Sequence, residues 1–166
     1  HQGTDYDANG AWAAQGQVIP SLLQSLLAEA FLHQTPPKST GRDDFTMDWL
    51  DACLGEVGED LSDEDVMATL LALAVSSVAS CLPPNTERVF VCGGGANNRA
   101  FVTALAEACA SATFSRIEDL GLPAQAVEAC AFAWMAAQTL MGASSNCIEV
   151  TGASRPTVLG SIQRFS

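Results

Sequence analysis

The chain has 166 residues, 48% of them apolar, with a formal net charge of −12 and a pI near 4.2. That length allows one domain with a real core, or a domain plus part of another, and the apolar share excludes a disordered chain. The negative charge argues against nucleic acid and anionic membrane as partners, but leaves room for an anionic small substrate held by local amides or a metal.

The chain begins at His1 rather than Met, as expected for a piece of a longer protein or a processed chain. Residues 1–10, HQGTDYDANG, read as a polar loop. Ile19, Leu22, Leu23, Leu26 and Leu27 then repeat at helical spacing, and Pro20 suits the first turn of that helix. The helix stops before Pro36-Pro37, and KSTGRDDF forms a polar loop between helices. Met47 to Leu54 predicts a short helix.

Ser62 is placed to cap the next helix, with Asp65 three residues on as a shorter version of the capping-box acid. Val66, Leu70, Leu73, Ala74 and Val78 give that helix its apolar face, and Pro83-Pro84 ends it. The run from Ala68 to Ala79 is apolar, yet short for a membrane span and interrupted by serines. Arg88 to Cys92 predicts a strand, Asn98 to Ala110 a helix, and Ala112 to Ile117 a second strand. From Pro123 to about Met141 the chain is alanine-rich and helical, and the tail VLGSI suggests a last strand or helix edge. The order strand, glycine turn, helix, strand, helix favours an α/β fold with helices on a mainly parallel sheet.

Six cysteines, at 53, 81, 92, 109, 130 and 147, show no CxxC pair and no histidine at metal-ligand spacing. They read as buried free thiols in a reduced, cytoplasmic compartment, with no metal site.

VFVCGGGANNRAF, residues 89–101, carries the strongest chemical signal. A glycine turn from strand to helix leaves backbone N–H groups exposed and lets a bulky anion or nucleotide come close. A tight turn alone would need one or two glycines, so three favour a ligand. Asn97 and Asn98 add amides for a helix cap or a ligand contact. Gly93 and Gly95 supply the GxG of a dinucleotide fingerprint, and Glu118 and Asp119 follow the second strand, but Asn98 stands at the third glycine position. Glu128, in AVEACAFAW, is the only charge between Asp119 and Glu149. Buried without partners it would cost several kcal/mol. It therefore either faces water at a helix start, where the dipole favours it, or is aimed into a site. Lys38, Ser39, Thr40 and Arg42 have two readings as well: substrate contacts across a cleft, or helix caps paired with Asp43 or Asp44.

Taken together, YDANGAWAAQGQV, PPKSTGRDDF, DVMATL, VFVCGGGANN, GLPAQAVEACAFAW and VTGASRPTVLG are similar, in order and across nearly the whole chain, to the carboxyl-terminal half of the anhydro-N-acetylmuramic acid kinases. The resemblance implies the carboxyl-terminal portion of an actin-like ATPase (ribonuclease H-like) fold. Residues 1–84 would be a mainly helical segment and 85–166 a βαβα nucleotide-binding segment. It implies an enzyme of peptidoglycan recycling that hydrolyses the anhydro bond of anhydro-N-acetylmuramic acid and phosphorylates O6, with ATP and Mg²⁺. Gly93, Gly94, Gly95 and Asn98 would lie against the nucleotide, Glu128 would contact the sugar, and Arg42 is a further substrate-binding candidate. A dimer is implied, as is an amino-terminal domain as partner. The family's GTSxDG and DTGPGN stretches, the second carrying the aspartate that activates water, are not among these residues, so no catalytic residue is assigned; Asp5 and Asp7 do not replace it. Gln125, Ile117 and Glu118 depart from the family's usual Asp and Thr-Asp. Two other readings remain: a Rossmann-type dinucleotide module, and a non-catalytic remnant or subunit of the same fold.

Overall fold

A computed structural model describes residues 6–41, 43–58 and 60–163. Three helices come first. Helix α1 spans Pro20–Leu27, with Pro20 at its first position, where a missing N–H costs nothing. Helix α2 spans Met47–Val57 and is capped by Thr46, whose hydroxyl accepts from the Trp49 amide at 3.2 Å. Helix α3 spans Asp63–Cys81.

Ser62 caps α3 as expected, its Oγ accepting from the Asp65 amide at 3.1 Å. The capping box itself is not reciprocal. The Asp65 carboxylate accepts from the Gln17 amide at 2.6 Å instead. One residue-turn further on, the fully buried Thr69 hydroxyl donates to the Asp65 carbonyl at 2.7 Å and accepts from the Ile19 amide at 2.9 Å. The extended stretch before α1 is thus fastened to the first turns of α3, and the one buried hydroxyl there is satisfied on both sides.

Leu22, Leu26 and Cys53 form the centre of the main core, with Trp49, Leu50, Leu54 and Val57 of α2 and Val66, Leu70 and Leu73 of α3 packed around them. Helix α3 is longer than the apolar run in its sequence. By length and composition it is apolar enough to cross a membrane, and here it lies between α1 and the next helix with Ala68, Thr69 and Val75 buried. A helix that packs on two sides has no single apolar stripe.

The second half alternates. Strands β1, Arg88–Val91, and β2, Thr113–Arg116, form a parallel pair in the register Arg88↔Thr113 to Val91↔Arg116. Helix α4, Arg99–Ala108, connects them and packs on α3, burying Leu105. The result is a helix-rich α/β arrangement with a small parallel sheet. Helix α5, Val127–Met141, is preceded by a 3-10 turn at Ala124–Ala126, and α6 covers Ile148–Thr151.

Two expectations fail. The VLGSI tail is neither strand nor helix. It is held by side chains: the Thr139 hydroxyl contacts the Leu159 carbonyl, and Asn146 brackets the chain by donating to the Arg155 carbonyl at 3.1 Å and accepting from the Thr157 amide at 2.7 Å. The cysteines are free, but only Cys53 is buried; Cys81, Cys92, Cys130 and Cys147 are exposed. Cys130 lies on α5, which buries none of its residues, whereas Cys81 ends α3 and Cys92 follows β1, where the chain leaves the packed part of each element.

Candidate functional site

Strand β1 delivers the chain into the glycine turn. Gly93 has φ +71° and ψ −167°, a region essentially closed to residues with a Cβ. It turns the backbone into a 3-10 turn at Gly94–Asn97, whose Ala96 side chain is buried. Asn98 then caps α4, its Oδ1 accepting from the Phe101 amide at 3.0 Å.

Gly94 and Gly95 are different from Gly93. Neither has a positive φ, and a Cβ added at either would meet no atom within 4 Å. Backbone conformation and packing among the described residues therefore do not require glycine there. The Ala96 and Asn98 amides are used within the turn, bonding to the Gly93 and Gly95 carbonyls at 3.3 and 3.0 Å. The Gly94 and Gly95 amides donate to no acceptor among the described residues. Two free N–H groups beside open space suit a ligand that approaches the backbone closely.

That open space is a cavity of about 360 Å³. One wall is the turn, through Gly94, Gly95 and Asn98. The other is the amino-terminal loop, through Tyr6, Asp7 and Asn9. Asp7 organises this loop: its two carboxylate oxygens accept from the Trp12 and Ala13 amides at 2.8 and 3.0 Å. Asn9 takes the left-handed conformation, φ 59°, and Gly10 follows with φ +71°. Gly10 is buried, and a Cβ on it would sit 2.5 Å from both the Asn98 Oδ1 and the Ala100 Cβ. Residues 1–10 read as a polar loop from sequence; the compact turn at Ala8–Gly10 is signalled there only by the Asn-Gly pair two residues after Asp7.

The remaining candidates fall elsewhere. Glu128 is exposed in the first turn of α5 and does not line this cavity. Its helix starts directly after the Ala124–Ala126 turn, which packs against the glycine turn. Arg42 lies outside the described residues. Of the KSTGR loop, Lys38 donates to the Phe31 and Leu32 carbonyls at 3.1 and 3.0 Å and lies 4.8 Å from the Phe31 ring centre. Thr40 donates to Asp44 at 2.7 Å. These are the local capping and pairing contacts of the second reading.

Glu118 and Asp119 are committed to their own segment. Arg116 donates to Glu118 at 3.1 Å, and this hydrogen bond is the main influence holding the Glu118 carboxyl below the usual carboxylate range. Asp119 accepts from the Arg116 amide at 3.2 Å. Neither acid is free in the manner a ribose-binding acid of a dinucleotide fold requires.

Comparison with known proteins identifies the family. The family described as anhydro-N-acetylmuramic acid kinase matches residues 1–164. The chain is 43% identical over 165 residues to the anhydro-N-acetylmuramic acid kinase of Ralstonia nicotianae, covering 98% of this chain and 43% of that relative. It is 44% identical to that of Chromobacterium violaceum, with 98% and 45% covered, and 44% identical to that of Xanthomonas axonopodis pv. citri, with 98% and 44% covered. The chain thus spans less than half the length of these relatives. The Rossmann-type reading is not favoured, and the chain belongs to the anhydro-N-acetylmuramic acid kinase family.

Proposed function

We propose that these residues are the carboxyl-terminal part of an actin-like, two-domain, ATP-dependent carbohydrate kinase. Its reaction would be hydrolysis of the anhydro bond of anhydro-N-acetylmuramic acid with phosphorylation of O6, within cytoplasmic peptidoglycan recycling. The observation that carries this reading is the bare backbone at Gly94 and Gly95, where space and free amides are kept although neither conformation nor packing asks for glycine. ATP is assigned to that turn. Gly93 shapes the turn, Asn98 starts the helix behind it, and Glu128 is assigned to the sugar; Arg42 is kept as a further substrate contact.

ATP supplies the phosphoryl group, and Mg²⁺ would offset the charge that develops on it. Among the described residues no three His, Cys, Asp or Glu side chains gather into a metal site. We assign the ion to the nucleotide phosphates, the usual seat of Mg²⁺ in phosphoryl transfer. The base that activates water is assigned to the family's DTGPGN stretch, which is not among these residues, so the 166-residue chain by itself should give no turnover.

The longer protein also gives α5 a role. This helix buries none of its residues, and Phe132, Trp134, Leu140 and Met141 are more than half exposed. An apolar helix surface of this kind is a contact surface, and we assign the amino-terminal domain to it. A homodimer remains the proposed assembly.

The test is a coupled assay of the full-length protein with ATP, Mg²⁺ and anhydro-N-acetylmuramic acid. Phosphorylated sugar is the expected product. Absence of turnover from a folded, full-length preparation would refute the kinase assignment.

A further inference from the structure

The cavity beside the glycine turn is built from two parts of the sequence that lie more than eighty residues apart, the Tyr6–Gly10 loop and the Gly94–Asn98 turn. Among the described residues no lysine or arginine lines it. Asp7, the one charged lining residue among those described, has both oxygens bonded to backbone amides. The lining side chains left for a ligand are uncharged: the Tyr6 phenol and the carboxamides of Asn9 and Asn97. A chain of phosphates calls for cations, whereas carboxamides and a phenol match the heteroatom edge and flat face of a base.

Asn9 is the best placed of these. Its carboxamide makes no hydrogen bond among the described residues. Its backbone is held in the left-handed region by a loop fastened on both sides, through the Asp7 contacts before it and the Gly10–Asn98 approach after it. A short polar side chain on a fixed backbone is preorganised for recognition.

We infer that the Tyr6–Gly10 loop is the base-side wall of the nucleotide site, and that Asn9 selects adenine over guanine. This rests on the assignment of nucleotide to the glycine turn. A carboxamide offers one acceptor and a donor side by side. On its N7 edge adenine presents the complementary pair, the N6 amino donor and the N7 acceptor, while the same edge of guanine presents two acceptors, O6 and N7. Tyr6, largely exposed at the cavity edge, offers an aromatic face to the same ring.

The experiment is calorimetric titration of ATP and GTP into the full-length protein and two variants, with thermal unfolding of each. Asn9→Gly removes the carboxamide and keeps the left-handed backbone available. It should weaken ATP about tenfold, leave GTP within about twofold, and leave the melting temperature near wild type. Gly94→Val should weaken both nucleotides alike by filling the space over the turn. ATP affinity within about twofold of wild type in Asn9→Gly, with Gly94→Val impaired, would overturn the role of Asn9 and leave the nucleotide turn standing. Unchanged affinity in a folded Gly94→Val would remove both. Equal loss of ATP and GTP in Asn9→Gly would overturn the adenine preference.

Discussion

Gly10 and Asn98 touch so closely that a single added carbon on Gly10 would lie 2.5 Å from the Asn98 side-chain oxygen. That oxygen is already the cap of α4, accepting from the Phe101 amide. The amino-terminal loop and the helix behind the glycine turn are therefore one mechanical unit. Gly10→Ala should destabilise the full-length protein by about 1–3 kcal/mol, through the unfavourable φ and the displaced cap. Asn98→Ala should cost about 0.5–2 kcal/mol through loss of the cap alone. Urea unfolding measures both, and a Gly10→Ala protein as stable as wild type would show that the approach relaxes freely.

The three glycines should separate by role. Gly93→Ala should destabilise by about 1–3 kcal/mol because its backbone angles exclude a Cβ. Gly94→Ala should unfold at the wild-type urea midpoint or slightly above it, since alanine restricts the unfolded chain and meets nothing in the folded one. A Gly94→Ala variant with a strongly lowered midpoint would mean that packing by other parts of the full-length protein fixes that glycine.

Glu128→Gln keeps size and removes charge at the start of α5. A purely dipolar role would be worth about 0.3–1 kcal/mol of stability with normal kinetics. We expect instead that turnover of the full-length enzyme falls about tenfold or more while ATP affinity holds, because a charged hydrogen bond to a ligand is worth about 1.5–3 kcal/mol. Steady-state parameters within about twofold of wild type would remove Glu128 from the substrate site.

Arg116 and Glu118 give a pH signature at the end of β2. The carboxyl is held below its ordinary range chiefly by the guanidinium hydrogen bond. A depressed folded-state value stabilises the fold above the unfolded-state value, and that contribution is lost as pH falls through the folded-state value. The pair is at the surface, so the effect on stability is slight. Carbon-detected NMR titration should find Glu118 shifted downward in the wild type, with a rise toward the ordinary range in Arg116→Ala. Identical titration curves in the two proteins would mean the contact is not kept in solution.

Trp134 tests the covering of α5. It is 54% exposed here. If the amino-terminal domain packs on it, Trp134→Ala in the full-length protein should cost about 3–5 kcal/mol, as for a core aromatic. A loss under about 0.5 kcal/mol would class it as an ordinary surface residue and leave the helix face without that partner.

Local signals were readable in the sequence because their physics spans only a few residues. Pro20, Ser62 and Asn98 each sit where a helix start needs a fixed φ or a side-chain acceptor, and each helix begins there. The apolar run ending in glycines predicts a strand and a turn, and the parallel pairing of β1 with β2 follows the expected order of elements. Six motifs in series were enough for the family. What the sequence could not decide was which groups meet across long separations. Asp65 has the spacing of a capping acid, but it is spent on Gln17, because that amide comes within 2.6 Å once α1 and α3 pack. Cysteine runs are apolar whether or not another element covers them, so burial of Cys53 and exposure of Cys130 are properties of the packing. The glycines were one motif in the sequence; only the backbone angles and the space around each Cβ position divide Gly93, which shapes the turn, from Gly94 and Gly95, which leave it open. Asn9 reached the site in the same way, by the docking of its loop on a turn more than eighty residues later, a contact set by tertiary packing and by no local preference.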